Sequence, residues 1–285
     1  MANIRTIRGR IKSVTNIAQI TRAMELVAAS KMKRAQAAAI AGKLYASKIY
    51  QMVMELSSRV DVSLSPLLTK PKVPTGKRLV VYITTNKGLC GGLNTTSFRF
   101  LSGQYESIKN VSCVTLGRKG AHFVSQMGGS VVADFSDSTP WVTTVPAVIE
   151  LASKEFLDLR VDGVDVVYNE FFSPTKLSPV KKTILPLTME SSPDGKENLS
   201  EFLIEPNDRV LFDALLPHYL ENQLRDAILQ SEASEHSSRM IAMHSATDNA
   251  LSLVDDLTLV YNKARQEKIT YEITDLITAS MTVSV

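Results

Sequence analysis

Apolar side chains near the C-terminal end of the chain recur at steps of three and four. Met243, Ala246, Ala250, Leu253, Leu257, Val260 and Ala264 form a sustained heptad seam, the pattern of a helix that packs against another helix along its length. From His218 to Val285 there is no glycine and no proline, so one uninterrupted helix is predicted, at 1.5 Å per residue a rod of roughly 100 Å. Past Ala264 the in-phase positions become Glu267, Tyr271 and Thr274, while the apolar stripe moves to Ile269, Ile273 and Leu276. The helix is therefore expected to leave its partner there. At the other end, Ile4, Ile7, Ile11 and Val14 continue into Ile17, Ile20, Met24 and Val27 at the same spacing. An alanine-rich stretch follows from Ala28 to Ala46, set with Lys31, Lys33, Arg34, Lys43 and Lys48. The pattern fades near Arg59, and Pro66, Pro71, Pro74 and Gly76 mark a linker. Helices this long need a partner to bury their stripes.

The texture changes at Lys77. Short apolar runs at Leu79–Thr84, Val111–Leu116, Ser130–Phe135 and Val164–Phe171 read as strands, and Thr95–Lys109, Arg118–Met127 and Val145–Leu159 between them as helices. Lys182–Leu187 adds an edge strand, and Ser191–Asn198 is a turn-rich loop. Alternating strands and helices argue for an open sheet of Rossmann-like build. After Glu205 and Pro206, Asn207 is placed to cap a helix that Pro217 should kink or interrupt. The fold class is thus α/β: a long antiparallel coiled coil of the N- and C-terminal helices, with an inserted Rossmann-like open sheet. The divisions are 1–60 and 206–285 for the shaft helices, 61–76 for the linker and 77–205 for the α/β domain.

Charge supports this pairing. Met1–Tyr50 carries ten Lys or Arg against one acid, Glu25, whereas Pro206–Val285 carries twelve acids against six bases. The two ends are complementary although the whole chain is only at +3. The basic first helix could bind nucleic acid, but it offers few aromatic side chains for stacking, and the acidic far end accounts for its charge more simply. No apolar run is long enough to span a membrane, and the first residues lack the apolar core of a secretory leader. Cys90 and Cys113 are the only cysteines, which excludes a disulfide scaffold. His122, His218, His236 and His244 show no metal-ligand spacing.

One loop stands where nucleotide folds hold phosphate, Gly88-Leu-Cys-Gly-Gly-Leu93 between the first strand and its helix. It fits neither the dinucleotide fingerprint nor the P-loop, since Lys87 precedes the glycines. Nucleotide binding and a tight strand-to-helix turn both stand as readings of it, with the turn the simpler. Cys90 at that helix start could be an activated thiol, but no histidine lies nearby in sequence, and a small buried side chain is the plainer reading. Glu232, Glu235, Asp255 and Asp256 sit at helical positions with no pocket implied, as a solvated or partner-facing surface.

Three motifs together resemble the γ subunit family of F-type ATP synthases. They are Ile20-Thr-Arg-Ala-Met-Glu-Leu-Val-Ala-Ala-Ser-Lys-Met32, then Lys87-Gly-Leu-Cys-Gly-Gly-Leu-Asn94, and a C-terminal set. That set comprises Ala246-Thr-Asp-Asn249, Leu259-Val-Tyr-Asn-Lys-Ala-Arg-Gln266 and Ile269-Thr-x-Glu272-x-x-Asp275. The resemblance spans nearly the whole chain. One departure is Ala279-Ser280, where the family usually has Gly-Ala, and the long cysteine-bearing insertion of the chloroplast form is absent.

The resemblance implies a rotor shaft inside a hexamer of α and β subunits, its α/β domain at the foot with the ε subunit and the membrane c-ring, coupling proton flow through that ring to ATP synthesis or hydrolysis at the β subunits; a structural coiled-coil adaptor and a stand-alone nucleotide-binding α/β protein with helical arms are the alternatives. It implies no catalytic residue and no cofactor in this chain, ATP, ADP and Mg being bound by the α and β subunits. It places the chain as a peripheral protein on the cytoplasmic face of a bacterial plasma membrane. By position, Met24, Arg239, Arg265 and Gln266 match places where the shaft meets moving β-subunit loops. Lys31, Lys33 and Arg34, with Glu205 and Asn207, are expected near the foot.

Overall fold

The computed structural model describes residues 4–57, 67–69, 74–105, 111–187 and 207–283. Two helices dominate: α1 (Ile4–Ser57, 54 residues) and α5 (Asp208–Val283, 76 residues). Between them lies a five-stranded sheet of β1 (Arg78–Ile83), β2 (Val111–Leu116), β3 (Ser130–Asp134), β4 (Val164–Ser173) and β5 (Lys176–Leu185). Helices α2 (Leu93–Gln104), α3 (Arg118–Gln126) and α4 (Val145–Leu157) connect the strands, with a 3₁₀ turn at Trp141–Thr144. The chain divides into two compact units, residues 1–28 with 239–285, and residues 29–238. The sequence-based linker falls largely outside the described residues, as do Arg59, Pro66, Pro71, Ser191–Asn198 and Glu205.

In the larger unit the strand order is β3-β2-β1-β4-β5. The first four strands are parallel, and β5 runs antiparallel along β4. Residues of β1 alternate between two cores, as a pleated strand requires. Leu79, Val81 and Ile83 face a cluster with Val145, Val148 and Ile149 of α4 and Leu220, Leu224 and Ile228 of α5. Val80 and Tyr82 face Leu101 of α2 and Val124 of α3. Each such fully buried Leu or Ile contributes about 1.5–3 kcal/mol over an exposed one. A third cluster joins Ile49, Val53 and Leu56 of α1 to Phe212 and Leu216 of α5. The turn into α3 is tight at Gly117, which has φ +121° and where an added Cβ would collide with the Thr84 carbonyl oxygen.

Several boundaries differ from the sequence pattern, each for a physical reason. Strand β5 begins at Lys176, six residues before Lys182, and includes Pro179. A proline is tolerated there because β5 is an edge strand and needs no donor on its open side. Pro217 does not interrupt α5. It lies on the exposed face, where solvent can satisfy the freed carbonyl, while Phe212, Leu216 and Leu220 hold the buried face on both sides. The helix starts at Asp208 and is capped as expected: the Val210 N–H donates to Asn207 Oδ1 at 2.9 Å. Helix α2 ends at Gln104 and α4 at Leu157, short of Lys109 and Leu159. Leu159 itself adopts φ +55°, an uncommon left-handed conformation for leucine that turns the chain out of α4.

Candidate functional site

In the smaller unit the two helices pair antiparallel. Arg8 Nη2 donates to Tyr261 Oη at 2.5 Å, the Thr21 and Thr247 hydroxyls meet at 2.8 Å, and Glu25 Oε1 lies 3.3 Å from His244 Nδ1. Each step forward along α1 is a step backward along α5. On α1, Ile4, Ile7, Ile11 and Val14 are buried or half-buried. The seam then runs through Ala18, Thr21, Glu25 and Ala28, while Ile17, Ile20 and Val27 are at least half exposed. On α5, Met243, Ala246, Ala250, Leu257 and Ala264 lie in or beside the seam. Leu253 and Val260 do not; they are 46% and 50% exposed. Thr247, Val254 and Tyr261 occupy the inner positions instead. The reason is chemical: small Ala and Thr let the backbones approach, and the Thr21–Thr247 and Arg8–Tyr261 hydrogen bonds fix the phase that hydrophobicity alone leaves open.

Four residues back from Arg8 is Ile4, and four on from Tyr261 is Arg265. From Arg265 to Thr278 every residue of α5 is exposed. Arg265 and Gln266 thus present their side chains to solvent where the paired register runs out among the described residues. Met24 is half-buried beside Glu25, whose carboxylate accepts from Arg22 at 2.9 Å. Arg239 is half-buried.

In the larger unit Lys31, Lys33 and Arg34 are exposed on α1, and Asn207 is exposed at the start of α5. Lys31 lies near Glu232, whose carboxyl is pushed above its ordinary value by burial first and by Glu235 second, with Lys31 partly offsetting both. A cleft of about 580 Å³ lies between α1 and α5, lined among others by Ile40, Lys43, Phe171, Lys182, Arg225 and Asp226.

The crevice at the sheet's switch point, beside β1 and β4, is where such folds bind nucleotides. Beside it, backbone amides of the next helix along the chain are committed to the protein's own oxygens. At the start of α3 the Arg118 N–H donates to Asn86 Oδ1, the Lys119 N–H to the Thr85 carbonyl and the Gly120 N–H to Thr84 Oγ1. Helix α5 lies over the glycine-rich loop, with Ser238 Oγ donating to the Cys90 carbonyl at 2.6 Å. Cys90 is buried, and Asn94 Nδ2 donates to its Sγ at 3.4 Å. The covering helix and the burial of Cys90 favour the tight-turn reading of the loop. The row Ser231, Ser234, Ser237, Ser238 that brings α5 so close is visible in the sequence and was missed as a packing signal. Among the described residues there is no cluster of His, Cys, Asp and Glu able to hold a metal ion, and no helix long and apolar enough to cross a membrane.

A family profile described as ATP synthase matches residues 3–283. The ATP synthase gamma chain of Opitutus terrae is 42% identical over 98% of both chains. The chain belongs to the ATP synthase gamma chain family. The gamma chain of a Janthinobacterium species is 36% identical over 99% of this chain and all of that one. Among solved structures, a chain of the Euglena gracilis mitochondrial ATP synthase, from an assembly of OSCP, F1 and c-ring, has a TM-score of 0.67 at 18% identity. It covers 98% of this chain and 94% of its own. A central-stalk and c-ring structure from Tetrahymena thermophila gives 0.58 at 23%, covering 80% of this chain and 99% of its own. At those identities the likeness is one of fold. The gamma-chain fold of two long helices around an inserted α/β sheet is the one described above.

Proposed function

We propose that this chain is the central rotor shaft of an F-type ATP synthase. It couples proton flow through a membrane ring of c subunits to ATP synthesis or hydrolysis at β subunits, and is itself non-catalytic. The observation that carries the reading is full-length membership of the gamma chain family, joined to an antiparallel two-helix arm whose tip is exposed on every side. The arm stands within a sleeve of α and β subunits, and the α/β domain sits at the foot with the ε subunit and the c-ring. Nucleotide and Mg belong to the α and β subunits. The chain is peripheral to the membrane, on the cytoplasmic face of a bacterial plasma membrane.

An asymmetric shaft does work by contacting one catalytic subunit differently from the others, because a conformational change requires a differential interaction. Arg265 offers a planar fork for a carboxylate and Gln266 a neutral donor and acceptor. Together with Met24 and Arg239 they are the stator contacts we assign. Lys31, Lys33, Arg34 and Asn207 are assigned to the foot, as is Glu205, which lies outside the described residues. The test is extraction of the native membrane in mild detergent. The chain should co-purify with larger ATPase subunits and a c-ring, and its removal should abolish coupled synthesis. Purification alone, with ATP hydrolysis by the isolated chain, would refute the reading.

A further inference from the structure

Hydroxyl side chains along α5 behave in two ways. Thr247, Thr258, Thr270, Thr274 and Thr278 each donate back to the carbonyl four residues earlier in their own helix, the common local choice for a helical hydroxyl. Three serines do not. Ser234 Oγ donates to the Asn169 carbonyl at 3.0 Å, Ser237 Oγ to the Pro174 carbonyl at 2.8 Å, and Ser238 Oγ to the Cys90 carbonyl at 2.6 Å. One turn earlier, Gln230 Oε1 accepts from the Phe171 N–H at 3.3 Å. Ser234 and Ser237 are fully buried.

These positions share one face of the helix. Their acceptors lie in three separate segments: strand β4, the turn between β4 and β5, and the glycine-rich loop before α2. Below this row α5 meets the sheet through Leu220, Leu224, Ala227 and Ile228. Apolar contact is non-directional and resists rolling of a helix weakly. Hydrogen bonds are directional and fail within a few tenths of an ångström or a few tens of degrees. A helix bonded to three segments can neither roll nor slide without breaking at least one bond.

We propose that Ser234, Ser237 and Ser238 form a torsional clamp that fixes α5 to the α/β domain, so that rotation delivered to the domain passes into the shaft helix without slip. The inference rests on the shaft reading above. These are positioning residues: they touch no substrate and act through the helix they hold.

The test uses the assembled complex in sealed vesicles, carrying Ser234→Ala, Ser237→Ala and Ser238→Ala together. A neutral hydrogen bond is worth a factor of about five in an equilibrium, so three removals lower the docked-to-undocked equilibrium constant by about a hundred-fold. Hydrogen exchange of the α5 amides from Gln230 to Ser238 should speed up accordingly. ATP hydrolysis should hold, while protons pumped per ATP fall, and Ser238→Thr should keep the wild-type ratio because it keeps the hydroxyl. Hydrolysis and pumping lost in parallel, at constant ratio, would mean a merely structural role and overturn the clamp, as would an unchanged ratio. If the triple variant does not assemble, the half-buried Ser238→Ala decides alone: a lowered ratio supports the clamp and a wild-type ratio overturns it. A wild-type chain that fails to co-purify with ATPase subunits would remove the shaft reading itself, and the clamp with it, whatever the variants do.

Discussion

Arg78→Leu should weaken the α/β domain by about 3 kcal/mol at neutral pH, and by less in acid. Asp165 is fully buried in β4, yet its carboxylate accepts four hydrogen bonds. Arg78 Nε and Nη2 donate at 2.7 Å each, Tyr105 Oη at 2.8 Å and Thr183 Oγ1 at 2.7 Å. Burial alone would raise the carboxyl pKa. The donors, led by Arg78 and followed by Thr183 and Tyr105, outweigh it and hold the pKa below the ordinary value of 3.8. Removing one partner of a buried pair typically costs about 3–5 kcal/mol. The Arg78 side chain is 36% exposed, so water can partly replace it, and the low end applies.

The sign of the pH dependence reverses in the variant. In the wild type the depressed pKa means that Asp165 contributes stability above the unfolded carboxylate range, lost as pH falls through the folded pKa. Without Arg78 the burial penalty dominates and the folded pKa rises. The variant's deficit is then full at neutral pH and shrinks as pH falls and the carboxyl takes up a proton. Trp141, the single tryptophan, packs in the sheet cluster and reports on this domain by fluorescence. At roughly 3 °C per kcal/mol for a unit of this size, the midpoint should drop by roughly 10 °C at neutral pH. A drop under 2 °C, or a deficit that grows in acid, would refute the reasoning about this pair.

Three further outcomes are expected. Val254→Asp should loosen the helical arm and raise its proteolysis, whereas Leu253→Asp should not, because Val254 is half-buried in the seam and Leu253 is not; equal effects would return the seam to Leu253. Cys90 and Cys113 should resist alkylation in the native chain at pH 8 and react fully in denaturant, since both are buried and burial pushes the Cys113 thiol up to about 12; rapid native labelling would contradict this. Arg265→Glu should leave the isolated chain's stability within about 0.5 kcal/mol, as exposed changes usually do, while lowering hydrolysis and synthesis in the assembled complex; wild-type rates at wild-type assembly would make Arg265 ordinary surface.

The sheet was legible because each strand is a short apolar run between turn residues, and Leu79, Val81 and Ile83 declare a buried strand wherever they occur. The pairing of the ends was legible from heptads and opposed charge. The phase of the seam was not. The arm carries two apolar stripes on each helix, and a reading by hydrophobicity selects Ile17, Ile20, Val27, Leu253 and Val260. The structure keeps Ala250 but buries Ala18 and Ala28 in place of their larger neighbours, and lines the seam with Thr21, Thr247 and Tyr261. Close approach and cross-helix hydrogen bonds decide the phase, and neither has a period distinct from the apolar one. Pro217 misled for a related reason: it looks like a breaker until it is known that it lies on a solvent face. The serine row over the crevice went unread because a serine in a helix has no preferred partner until the facing surface is known.

The exposed stripe and the serine row are two solutions to opposite demands on one helix. Where α5 meets its own α/β domain, motion must be prevented, and the contacts are short, directional hydrogen bonds from Ser234, Ser237 and Ser238. On the arm, Ile17, Ile20, Leu26 and Val27 of α1 and Leu251, Leu253, Leu259 and Val260 of α5 are exposed and apolar. Exposed apolar residues in such number mark a surface that something surrounds. If the sleeve gripped this surface by hydrogen bonds, each step of rotation would break several of them, at about 1 kcal/mol net apiece. Apolar contact has no preferred angle, so its energy changes little as the shaft turns. Under the proposed assignment, the exposed polar side chains of Arg265 and Gln266 would supply the angular dependence that the apolar stripe lacks: a few directional contacts, made with one subunit at a time on a surface otherwise free to slide.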